Sequence, residues 1–342
     1  MKPFPVQFSE QALEPAVAPW RSASEASYRR MFSVLLKRLL AACGAFEWVT
    51  FAYLAWLNLM VLLFRRNLPH AALYLAVHAC VFAAILWLAW SAAGTDNRAL
   101  RFARHWYPLL LYLGCFEELQ RLVHIVFPGW FDRRLIAFDF GLAGVHPAVW
   151  LARFSSPAMN DFMQFSYMTY FLYLFILPAM LYAGGERLAY WRVMVSTGIA
   201  HYSVYVVALL FPIESPHYSL AYLDMKPLVG GWCTAAINFI ERFGRVHGAA
   251  FPSAHVAGSM VALMAARRYR PWLFWACLPF FVSMCVATVY GRYHYVADVL
   301  AGMAVGVFGF VIGDWLTRRE GAVPCAIRCR VAPEGMNGIR ES

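Results

Sequence analysis

Charge is scarce in this chain. Asp, Glu, Lys and Arg make up 14% of its 342 residues, where a soluble domain carries roughly 25%. Hydrophobic residues supply 61%. So little charge cannot clothe a water-facing surface of this size, and the outer face is suited to lipid. Zinc-type Cys/His spacing is lacking, and the eight cysteines form no disulfide framework. Cys43, Cys80, Cys115, Cys277 and Cys285 lie inside apolar runs, where cysteine acts as a small hydrophobe. Cys233 stands alone in a polar loop. Cys325 and Cys329 sit in a basic tail, where a bridged or lipidated pair and plain tail cysteines both remain open. No metal and no cofactor are expected.

Other absences narrow the class further. The first forty residues hold no short apolar run with a small-residue cleavage site, so no leader is expected. No internal repeat, low-complexity run or second domain is visible. The formal net charge of +10 does not indicate nucleic acid, because no basic face with interleaved aromatics occurs. The basic residues lie in short loops between apolar runs, where they report membrane orientation.

What is present is a series of apolar runs. A span needs about twenty mostly apolar residues. Eight runs qualify, near 45–64, 70–92, 107–127, 162–184, 190–212, 253–268, 271–290 and 296–316. The sixth is short, and the third holds Glu117, Glu118 and Arg121. The expected fold is an all-α polytopic bundle of about eight spans with interfacial helices. Residues 1–44 form a lead-in in which Ser27 to Ala42 reads as a basic amphipathic helix, suited to an anionic surface. Residues 45–316 form the membrane domain, and 317–342 a basic tail. The stretch 128–160, with Trp130, Asp132, Arg133, Arg134 and Trp150, reads as interfacial helices and turns. Residues 213–250 form the longest polar loop.

An inside N-terminus places 19 of the 29 Lys and Arg in inner segments, with residues at span edges assigned to the nearer side. That bias puts both chain ends in the cytoplasm and the two motifs below on the outer side, in a plasma or inner membrane. Arg65 and Arg66 run against it, and it requires the third run to cross.

Two short stretches carry the chemistry. The first is Phe251-Pro252-Ser253-Ala254-His255. Pro and Ser mark a helix start, which places His255 in a first turn, where free amides and the positive dipole end suit a phosphate. The second is His294-Tyr295-Val296-Ala297-Asp298. Its His and Asp are four apart and share one helix face. A carboxylate on one ring nitrogen leaves the other as an attacking lone pair. A helix cap and satisfied interfacial histidines are the structural alternatives. Downstream, Gly302-x-x-x-Gly306 and Gly309-x-x-x-Gly313 permit close helix contact.

Together the two stretches resemble the second and third signature motifs of the type 2 phosphatidic acid phosphatase/haloperoxidase superfamily. Pro252, Ser253 and His255 match the former, with Ala254 in place of glycine. His294 and Asp298 match the latter. The family's arginine, six before that histidine, is Thr288 here, and its first Lys…Arg-Pro motif is missing. Phe-Pro-Ser-x-His with His-Tyr-x-x-Asp is similar to the inositolphosphotransferase-like branch, which includes inositol phosphorylceramide and sphingomyelin synthases. The resemblance is strongest over 245–310. It implies that His294 is the nucleophile, Asp298 its orienter and His255 the acid for the leaving oxygen. Ser253, Arg245, His247 and Arg292 are the candidates for holding phosphate, the last three on charge and location alone.

The sequence therefore predicts an integral membrane enzyme that transfers or hydrolyses a phosphate group on a lipid through a phosphohistidine, with headgroup transfer first. A lipid phosphate or polyprenyl diphosphate phosphatase is the alternative. A transporter or binding protein using Glu117, Glu118 and Arg121 as its polar path is the non-enzyme alternative.

Overall fold

The computed structural model describes residues 31–34, 37, 39–93, 95–223, 227–244 and 246–321. The chain divides into two units, Met1–Ala42 and Cys43–Ser342. In the first, residues 31–34, 37 and 39–42 are helical. The remainder of the expected amphipathic helix, together with Lys226, Arg245, Cys325 and Cys329, lies outside the described residues.

The second unit is helical throughout, and its described residues contain no strand beyond one isolated bridge, Ile213 to Ala249. Its helices are α1 (Ala45–Leu63), α2 (Ala71–Ala92), α3 (Arg98–Leu122), α4 (Asp132–Ala143), α5 (Pro147–Leu151), α6 (Pro157–Ala183), α7 (Arg187–Leu210), α8 (Pro216–Ser219), α9 (Trp232–Gly244), α10 (Ala254–Tyr269), α11 (Pro271–Tyr290) and α12 (Val296–Gly321). Six of them, α1, α2, α6, α7, α11 and α12, are long and apolar enough to cross a membrane. The third and sixth expected runs fold as α3 and α10 but fall short of that standard. Charges interrupt α3, and α10 has only 16 residues.

Both nevertheless run the length of the bundle. The start of α3 meets the starts of α1 and α7, through Arg104 with Glu47 at 3.4 Å and the Tyr190 hydroxyl on the His105 carbonyl. Just beyond its end, the Ile125 carbonyl accepts from Asn67, which follows α1. Helix α10 starts beside Asp298 and ends beside Asp314, through Arg268 at 2.7 Å. Glu118 pairs with His78 at 2.8 Å, and that imidazole also bonds Asn58 at 2.6 Å. This buried set ties α1, α2 and α3 together, so Glu118 is bound up in helix packing. Charged groups at membrane depth need such partners. The stretch read as interfacial is a helical pair, Asp132–Ala143 and Pro147–Phe154, bent by 60°.

Helices α7 and α10 form the interior. α10 packs on α6, α7, α11 and α12, while α7 has its most extensive contact with α12. The two glycine pairs explain that contact. A Cβ on Gly302 would lie 2.7 Å from the Ser253 carbonyl oxygen, and one on Gly306 2.7 Å from that of Ala257. Gly309 and Gly313 meet Ser196 and Ala200 of α7 in the same way. Small residues let helices approach to backbone contact where lipid offers no hydrophobic drive. Gly302 thereby fixes the start of α12 against the start of α10.

Gly302→Val should push the two helix starts apart. It is expected to cost about 1–3 kcal/mol through overpacking and to lower the thermal midpoint in detergent by several degrees. An unchanged midpoint would contradict the close contact.

Candidate active site

The start of α10 forms as its residues require. Ser253 is the N-cap in extended backbone, and its hydroxyl accepts from the Val256 amide at 3.4 Å. Its own amide donates to the Asp298 carbonyl at 3.1 Å. Ser253 is fully buried. Its hydroxyl caps the helix as an acceptor, which fixes its position beside the second motif.

The end of α11 aims the second motif. Tyr293 and His294 both donate backbone amides to the Thr288 carbonyl, at 3.0 and 3.1 Å, and Arg292 donates to that of Val289. This closes the helix around Arg292, which has φ of 64°. Glycine usually occupies that left-handed position. An arginine there costs roughly 1–2 kcal/mol, and such strain is concentrated at functional sites. Arg292 therefore sits in the loop between α11 and α12, with its side chain buried. Burial lowers its pKa, and neighbouring Tyr290 and Tyr293 oppose that shift. The Thr288 hydroxyl, at the family's arginine position, turns back to the Cys285 carbonyl at 2.8 Å.

His294 is 5% exposed and Asp298 fully buried. His294 Nδ1 lies 2.8 Å from the Ala250 carbonyl oxygen and 3.3 Å from Asp298 Oδ2. A carbonyl can only accept, so Nδ1 carries the proton. Nε2 is left with a free lone pair, the form a nucleophilic imidazole needs. The expected pairing forms, but not along one helix face as the spacing predicted: His294 lies in the loop before α12, and only Asp298 is in the helix. The shorter bond, however, comes from Ala250 in the segment leading to His255, and spacing gave no hint of it. Asp298 Oδ2 also accepts from the Tyr295 amide at 2.7 Å.

His255 faces this group, with 5.9 Å between the two ring centroids. Its Nε2 and the Tyr167 hydroxyl are hydrogen-bonded at 2.9 Å, and its Nδ1 is buried with no hydrogen-bond partner. Tyr170 packs on the ring at 4.5 Å, and Tyr167 stacks on Tyr293 at 4.5 Å. Gln164 bonds the Tyr293 hydroxyl at 2.9 Å. Burial raises the Tyr293 and Tyr295 phenols well above their ordinary range, so both stay protonated. Behind Tyr170, His201 bonds the Thr197 carbonyl through Nδ1 at 2.9 Å and the Tyr170 hydroxyl through Nε2 at 3.0 Å. The carbonyl again fixes the proton on Nδ1, so Tyr170 donates to Nε2. His201 is a packing group that steadies the aromatic wall.

Two aspartates on α4 hold the second motif from below. Asp139 accepts from the Val296 and Ala297 amides at 2.9 and 3.1 Å, capping α12 from another helix. Asp132 accepts from the Tyr295 hydroxyl at 2.8 Å and from the Glu214 and Ser215 amides at 2.9 and 3.3 Å. Seven residues apart, the pair lies on one helix face. That spacing was visible in the sequence, but their partners are more than eighty residues away. His247 Nε2 is hydrogen-bonded with Glu214 at 2.9 Å, and the ring packs on Trp130 and Tyr218. The structure thus brings His255, His294, Asp298 and Ser253 together, and places Arg292 in the adjoining loop. It engages His247 elsewhere. Among the described residues, no group of three His, Cys, Asp or Glu is arranged to hold a metal ion.

The family model of the PAP2 superfamily matches residues 133–312, which contain His255, His294, Asp298 and the tyrosines around them. The chain belongs to the PAP2 superfamily. It is also similar to a PA-phosphatase related-family protein of Dictyostelium discoideum, 27% identical over 130 residues, covering 34% of this chain and 22% of that protein. The match thus spans less than a quarter of that relative's length. No solved structure matches.

The His294 tautomer is directly measurable. Nitrogen-15 NMR of labelled protein should show a protonated Nδ1 and an unprotonated Nε2. Asp298→Asn should retain that pattern, since the Ala250 carbonyl still accepts. A proton on Nε2 in the wild-type protein would overturn the assignment.

Proposed function

We propose that this chain is a membrane lipid phosphotransferase working through a phosphohistidine on His294. The observation that carries the reading is the free Nε2 of His294, set by the Ala250 carbonyl, facing His255 across one small gap. In the first step Nε2 attacks the phosphorus of a phospholipid. The P–N bond forms, the P–O bond breaks, and His255, charged as imidazolium beside the anionic phosphate, gives its second ring proton to the leaving oxygen and is left neutral. Asp298 stabilises the charge that builds on the His294 ring. In the second step an acceptor hydroxyl attacks phosphorus and passes its proton to His255, and the P–N bond breaks.

Two features favour a lipid or headgroup acceptor over water. The aromatic wall of Tyr167 and Tyr170, backed by Tyr293, packs on His255, which limits water beside the phosphohistidine. Thr288 also leaves the family's arginine position without a cation, which weakens a site meant to hold and release free phosphate. Hydrolysis is the second reading, favoured by the name of the Dictyostelium relative. The deciding experiment is product analysis with headgroup-labelled phosphatidylinositol, with ceramide and diacylglycerol as acceptors. Acceptor-dependent transfer is expected. His294→Ala should abolish it, and Asp298→Asn should slow it on the order of a hundredfold, less than where a carboxylate alone sets the tautomer. Free phosphorylated headgroup as sole product, whatever the acceptor, would favour hydrolysis.

The site is proposed to face the outer side of the membrane. Arg98, Arg101, Arg104, Arg187, Arg267, Arg268, Arg270, Arg318 and Arg319 gather at the opposite end of the bundle, as cytoplasmic ends do. Trp232 is exposed near the site end. Trp232→Cys, in a background lacking the native cysteines, should react with a membrane-impermeant thiol reagent on intact spheroplasts. Reaction only after permeabilisation would reverse the orientation.

A further inference from the structure

A lipid whose phosphate reaches His294 needs a place for its hydrocarbon. An apolar cavity of about 180 Å³ lies between α6, α10 and α11. Its wall includes Phe165 and Ile176 of α6, Ala262 and Ala266 of α10, and Ala276 and Phe280 of α11. Phe165, Ile176, Ala276 and Phe280 are exposed, so the cavity opens sideways toward lipid.

Three helices place this groove below the histidines. His255, Ser259, Ala262 and Ala266 are spaced four, three and four apart and share one face of α10. At 1.5 Å per residue, Ala262 and Ala266 lie about 10 and 16 Å deeper than His255. Helix α11 reaches the site at Tyr290, and Phe280 and Ala276 lie about 15 and 21 Å down from it. On α6, Phe165 directly follows Gln164, whose amide bonds Tyr293 at the site. Phe165 and Phe280 meet edge to face at 6.3 Å and form the rim nearest the histidines.

We propose that this groove binds one hydrocarbon chain of the lipid whose phosphate reaches His294. This rests on the phosphotransfer reading above. The lining is apolar, as a methylene chain needs. An apolar cavity of about 150 Å³ accepts one benzene, so this one takes a stretch of one chain and leaves a second in the bilayer. The spacing sets a length requirement. A chain must extend about 10 Å from the phosphate before it gains the groove's contacts, so long chains benefit more than short ones.

The test uses full-length protein in nanodiscs, with a phosphatidylinositol probe bearing a diazirine at the end of one oleoyl-length chain. Cross-links mapped by mass spectrometry should concentrate on Phe165–Leu177 and Leu273–Phe280. Dioleoyl phosphatidylinositol should compete, and the dioctanoyl lipid, whose chains only reach the upper part of the groove, should compete more weakly. Ala276→Phe, which fills the groove from an exposed position, should lower the ratio of dioleoyl to dioctanoyl turnover about tenfold. Val282→Phe, exposed on α11 outside the groove, should keep the wild-type ratio. Cross-links spread equally over the lipid-facing side of α12, or an unaltered ratio in Ala276→Phe, would overturn the proposal. Competed cross-links in the groove without turnover of any lipid would support the groove and sink the phosphotransfer reading.

Discussion

Backbone contact between α10 and α12 is the constraint on which the site depends. Gly302 and Gly306 bring α12 onto the Ser253 and Ala257 carbonyls, closer than any side chain permits. That approach lets the Ser253 amide reach the Asp298 carbonyl. The two helix starts are then locked at one level, and each delivers its histidine to the same gap. Without the contact, the motifs would be two unrelated helix ends some forty residues apart in sequence.

Rigidity around the gap comes from hydrogen bonds to backbone. The Ala250 carbonyl fixes the His294 proton, and the doubly used Thr288 carbonyl fixes its loop. Asp139 caps α12 from across the bundle, and Asp132 ties Tyr295 to the segment after α7. These carboxylates fill the donors at the start of α12. Its dipole is therefore spent on protein groups. Buried carboxylates of this kind persist because every charge has several donors.

Much of this was legible in the sequence. The shortage of charge and the apolar runs gave an all-α polytopic bundle, and the glycine pairs announced close packing. The spacing of His294 and Asp298, with Pro252-Ser253-x-His255, pointed to a cluster that the fold does bring together, although His294 precedes α12 and does not share a helix face with Asp298. What stayed hidden acts over long sequence separations. Asp132 contacts Tyr295, Tyr167 contacts His255, and Ala250 contributes a carbonyl that any residue could supply. The charges of α3 read as a polar path, whereas Glu118 is used to join helices through His78. His247 looked suitable by charge and position, but Glu214 satisfies it locally.

The central claim is that phosphorus is bonded for a time to His294 Nε2. Full-length protein mixed with a phosphorus-labelled phospholipid can be quenched in base within milliseconds and digested for mass spectrometry. The account predicts an acid-labile, base-stable phosphorus adduct on the His294 peptide. It should be absent from His294→Ala and should decay faster when acceptor is added. Steady turnover with no adduct at any quench time, or an adduct on His255 in its place, would contradict it.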